Sequence, residues 1–153
     1  MQSPELAGAI DALYDAFAEY PRPATFFACG CCWEGRAVPD ARWKTTQRPL
    51  VEVDAPGGDL PLREVPASQE LADLGTDVPL TGGDLALLKH YLPRLCEIVA
   101  GDGFEGDWPD LDVIRSHLNL GADVGCSPWR DWPDGERAAV QRFLEVVADR
   151  GHD

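Results

Sequence analysis

The chain has 153 residues, 44% of them apolar and 26% charged, and 27 acidic against 13 basic side chains give it a net charge of −14. That length is expected to form one domain, residues 1–153, with an apolar core of its own, so no disulfide or metal framework is needed merely to fold. The charge repels nucleic acid and anionic membranes, no apolar run approaches the roughly 18 residues of a membrane helix, and the acidic N-terminus lacks the basic segment of a secretory signal.

Elements follow in chain order. Ser3 before Pro4 is an N-cap with proline at the first helical position. Leu6, Ile10, Leu13, Tyr14 and Phe17 then recur at helical spacing until Tyr20-Pro21-Arg22-Pro23 stops the helix. Residues 21–60 read as an irregular, site-bearing segment. Within it Leu50-Val51-Glu52-Val53 alternates weakly as a short strand before the APGGD turn, and Pro61 argues against Leu60-Pro61-Leu62 as its hairpin partner, because proline is confined to sheet edges. A short helix over 68–74 ends at Gly75. Thr81 and Asp84 approximate a capping box for a helix over about 82–100, with Leu85, Leu88, Leu92, Leu95, Cys96 and Val99 on one stripe and Pro93 predicted to kink it. Another helix spans 110–120. The last runs from Pro133 to about Asp149, with Ala139, Val140, Phe143, Leu144 and Val147 inward. The expectation is a mainly α domain of about five helices with at most one short β-hairpin.

The cysteines carry the chemistry. Three of the five fall within FFACGCCWEG, as Cys29, Cys31 and Cys32. Cys29 and Cys32 have the C-x-x-C spacing of a zinc knuckle, and zinc takes four cysteine or histidine ligands. The remaining ligands must come from Cys96, Cys126, His90 or His117. Cys96 sits in an apolar stripe and reads as core. Cys126 lies in a loop that can reach a metal. His90 falls opposite the leucine stripe, beside Arg94, where exposure to water is the default. It becomes a ligand if the irregular segment folds over that face, and the Pro93 kink would then set Lys89, His90 and Arg94 along one groove wall. His117 borders its helix's apolar face, and His152 lies at the terminus. Residues 21–48 hold Arg22, Arg36, Arg42, Lys44 and Arg48 against Glu34 and Asp40, so the thiols lie in a locally positive stretch that favours thiolate.

A redox dithiol is the competing reading, since ATFFACGCCW looks superficially like a thioredoxin-type site. That scaffold needs the second cysteine to enter a helix within a βαβ unit, whereas WEGRAVPD is poor helix material and the preceding element is a helix. Trp33 and Trp43 flank the thiols and could line a ligand groove, although packing is the ordinary use of tryptophan, as for Trp108, Trp129 and Trp132. No phosphate-loop, dinucleotide, zinc-protease or nucleophile-elbow motif occurs.

Several stretches, in order, are YPRP at 20–23, CGCC, PLRE at 61–64, TGGD at 81–84, KHYLPRLCE at 89–97 and WRDWPDGE at 129–136. Together they resemble an uncharacterised family of small bacterial proteins with a Cys-rich turn and a His-x-Leu-Pro-Arg helix motif, over residue 10 to the C-terminus. The resemblance implies pairing of the cysteine turn with His90 and brings no activity with it. The expectation is a cytoplasmic module stapled by zinc through Cys29, Cys31, Cys32 and His90, with Cys126 as alternative ligand and a basic protein as partner.

Overall fold

The structure, a computed structural model, describes residues 3–29, 36–37, 50–68, 71, 85–101 and 128–149. The architecture is mainly helical with a small antiparallel sheet. Helix α1 (Pro4–Ala16) starts as its sequence dictates: Ser3 is extended, and its hydroxyl accepts from the Leu6 N–H at 3.1 Å. Pro4 needs no amide partner there, and Glu5 complements the positive end of the helix dipole. Leu6, Ala9, Ile10 and Leu13 are buried. Ser3→Ala is expected to cost about 1 kcal/mol and Ser3→Gly only a few tenths, read from the urea midpoint at unchanged slope.

Strand β1 (Thr25–Cys29) comes next, then the two-residue β2 (Arg36–Ala37) and β3 (Leu50–Asp54). The order is β1-β3-β2, with both outer strands antiparallel to β3. Phe26 lies across from Val53, and both are buried, so this face of the sheet closes on the core. One expectation needs correcting here: Thr25–Cys29 (TFFAC) is a strand, not part of an irregular segment. The partners of β3 are β1 and β2, while Leu62–Glu64 forms a 3-10 turn after Pro61. A partner 21 to 29 residues upstream leaves no hairpin signal, so alternation within 50–53 could not locate it.

Among the described residues there are three α-helices, against about five expected. Those predicted over 68–74 and 110–120 lie outside them, apart from the helical Leu71, whose N–H donates to the Ser68 hydroxyl at 3.2 Å in N-cap fashion. Helix α2 (Leu85–Ala100) runs through Pro93 as one element, and α3 (Asp134–Asp149) follows a 3-10 turn at Pro128–Asp131. Helix α1 packs on both α2 and α3. The inward residues of α3 are those its periodicity marks, and Trp129 and Trp132 are core anchors. Helix α2 is buried well beyond its leucine stripe, with Leu87, Lys89, Tyr91, Ile98 and Ala100 also inaccessible. Cys96 is 1% exposed, and burial pushes its thiol up to about 12, so it is an inert core residue.

Candidate functional site

Where α2 lies in the middle of the molecule, its polar residues meet other elements instead of water. The His90 Nδ1 lies 2.7 Å from the Tyr20 carbonyl oxygen, and its Nε2 lies 3.1 Å from Arg22 Nε. A carbonyl can only accept and a guanidinium can only donate, so one tautomer satisfies both contacts: Nδ1 carries the proton and Nε2 is the bare acceptor. The ring is half-buried and packs edge-on to Tyr91, with centroids 4.7 Å apart. Burial lowers the His90 pKa most; the Tyr20 carbonyl opposes this, and the Arg22 charge adds to it. Expected exposure is thus replaced by a neutral imidazole that ties α2 to residues 20–22. Both ring nitrogens are engaged, so a metal at Nε2 would first have to displace Arg22.

Arg22 in turn donates from Nη1 to the Gly58 carbonyl at 2.7 Å and stands 5.8 Å over the Tyr91 ring. The Tyr91 hydroxyl donates to the Pro56 carbonyl at 2.6 Å, and burial raises its pKa to about 12. The prolines either side of Arg22 hold its backbone extended and donate nothing, which leaves the guanidinium as the anchor of this stretch.

One residue earlier, Lys89 points into the core. Its Nζ lies 2.7 Å from Glu136 Oε1, with the two side chains 8% and 4% exposed. The Tyr20 hydroxyl donates to Glu136 Oε2, and Lys89 donates to the same hydroxyl at 3.3 Å. The ammonium also lies 4.6 Å from the centroid of the Trp132 ring, whose Nε1 finds no acceptor among the described residues. This is a caged, paired charge that ties α2 to α3.

The far end of α2 repeats the theme on a wetter surface. Arg94 donates to the Val65 carbonyl at 2.8 Å and to Glu97 at 2.7 Å, and Glu97 accepts from the Tyr14 hydroxyl at 2.6 Å. Burial and this carboxylate raise the Tyr14 pKa. Arg63 lies 3.9 Å over the Tyr14 ring and pairs with Asp11. Lys89 turns to Glu136 and the Tyr20 hydroxyl, His90 to the Tyr20 carbonyl and Arg22, and Arg94 to Val65 and Glu97, so the three do not line one open groove wall. Sequence reasoning missed those neighbours, Tyr20, Arg22, Val65 and Glu136. Only YPRP carried a signal, because an arginine held between two prolines is positioned to reach something.

Of the expected metal ligands, Cys31, Cys32 and Cys126 lie outside the described residues, as do Trp33, Trp43, Trp108, His117 and His152. For Cys29 the backbone is defined. It ends β1, paired with Leu50 at the start of β3. Among the described residues no three His, Cys, Asp or Glu side chains are grouped to hold a metal ion, and no helix is long and apolar enough to cross a membrane. The chain matches no protein-family profile, no curated protein and no solved structure.

Proposed function

We propose that the protein is a binding module without catalytic activity, in which the cysteine turn is closed by zinc through Cys29, Cys31 and Cys32, and that its acidic surface engages a basic protein. The observation that carries this reading is the placement of Cys29 as the last paired residue of a strand. A sheet end is a rigid support from which a C-x-x-C turn can chelate, and metal binding there is folding energy as well. Because both nitrogens of His90 are engaged, Cys126 is the better fourth ligand. The cations of residues 21–48 would offset the negative charge of a zinc thiolate centre, and the net charge of −14 favours a basic partner.

Protein purified without a metal-chelating tag should contain one zinc per chain. Cys29→Ser, Cys32→Ser and Cys126→Ser should each lose the metal and lower the melting temperature together, whereas His90→Gln should keep it. Full zinc occupancy in the cysteine variants would overturn the reading. A thiol redox role is the competing function, favoured by the strand that leads straight into Cys29. Metal-free protein with two rapidly reactive thiols at Cys29 and Cys32 would establish it instead.

A further inference from the structure

We propose that residues 21–23 form an acid-released latch on α2, closed while His90 is neutral and opened when the imidazole takes up a proton. The closed state depends on a bare Nε2 that accepts from Arg22 at 3.1 Å, with the Nδ1 proton held by the Tyr20 carbonyl. Protonation must add the second proton at Nε2, where it meets the Arg22 N–H. A hydrogen bond then becomes a donor facing a donor, with a positive charge on each side. Among the described residues, the other partners of Arg22 are the Gly58 carbonyl and the Tyr91 ring, both neutral.

Among the described residues, the remaining charged groups on the surrounding elements are paired or exposed. On α2, Lys89 is paired with Glu136 and Arg94 with Glu97. Glu19, before the latch, and Asp54 and Asp59, around the turn that follows β3, are exposed, where water screens them. The Tyr20 hydroxyl keeps its own anchor on Glu136, so opening is local. Arg22 and its flanking prolines leave α2 while Tyr20 stays. The latch stands whether or not the cysteine turn holds metal.

The sign follows from the lowered pKa of the closed-state imidazole. The open latch binds the proton more readily, so closure is fully present above the ordinary histidine value and is lost as pH falls through the lowered one. Between those two values the open population rises as pH falls, by at most about tenfold per unit. The test is NMR of the full chain with 15N in the His90 ring and the Arg22 side chain, from pH 8 to pH 4.5. The expected result is the Nδ1–H tautomer, a His90 titration below the ordinary value, and protection of the Arg22 Nε–H that falls with pH through that window after correction for intrinsic exchange. His90→Gln, which can still accept from Arg22 and donate to Tyr20, should keep its protection at every pH. Arg22→Gln should move the His90 titration upward. An Nε2–H tautomer, titration at or above the ordinary value, or wild-type protection independent of pH would overturn the latch. The wild-type measurements decide this even if a variant fails to fold.

Discussion

Glu136→Ala is expected to destabilise the fold by about 3–5 kcal/mol and to lower the melting temperature by roughly 10 °C. The substitution leaves Lys89, 6% exposed, without the carboxylate it faces at 2.7 Å, and deprives the Tyr20 hydroxyl of its acceptor. A buried ammonium with no counter-charge carries a desolvation penalty that the Trp132 ring offsets only in part. The double variant Lys89→Met/Glu136→Leu removes both charges and should recover most of the loss, because apolar replacements of a buried pair are often neutral or better. Asp11→Ala makes the contrast: its partner Arg63 is 47% and Asp11 itself 65% exposed, so that ion pair should be worth under about 1 kcal/mol. Thermal unfolding followed by circular dichroism checks all three. A Glu136→Ala chain within about 1 kcal/mol of the parent would show that the cage is not what binds α2 to α3.

Gly57→Ala should cost roughly 2–5 kcal/mol through two separable effects. Gly57 has φ of +96°, which a Cβ makes unfavourable on its own. That Cβ would also stand 2.6 Å from Val65 Cγ2 and 3.1 Å from Arg22 Nη1. Val65 is 1% exposed and β-branched, so it cannot swing away. Combining Gly57→Ala with Val65→Ala should relieve the clash and leave the backbone cost, on top of the loss from deleting Val65. The double-mutant cycle then gives a favourable coupling of on the order of 1 kcal/mol or more. A coupling near zero would mean the crowding at this turn is absorbed elsewhere. Gly58→Ala, with φ of +55° and nothing within 4 Å of an added Cβ, reports a backbone cost free of any clash.

The helices were legible because their signals are local. Ser3-Pro4 marks where α1 begins, and the spacing of Leu6, Ile10 and Leu13 marks which face it buries. The same holds for Val140, Phe143 and Val147 in α3 and for Cys96 as core. Strand β3 was legible in the alternation of 50–53, but its pairing was not, since setting Phe26 across from Val53 depends on residues far apart in sequence. The surroundings of His90 were misread for a related reason. A helical wheel gives one buried face, whereas α2 is covered on several sides by residues 20–22, 56–58 and 65, so a position opposite the leucines still meets protein. Lys89 shows the limit most clearly. Nothing in KHYLPR distinguishes a solvated lysine from one caged by Tyr20, Trp132 and Glu136, because its partners are assembled only by the fold.

The packing of α1 against α3 also fixes an order of events during synthesis. Tyr20 and Glu136 meet across 116 residues of chain. At typical elongation rates of about 5–20 residues per second, α1 therefore waits on the order of ten seconds for the surface it is built to cover. Throughout that interval Leu6, Ile10, Leu13 and Phe17 form an apolar stripe with no α3 to close on, a target for chaperones and for neighbouring nascent chains. Closing so long a loop also carries an entropic cost that local helix formation does not, so docking of α3 should be the late, rate-setting step that commits the chain to its native state.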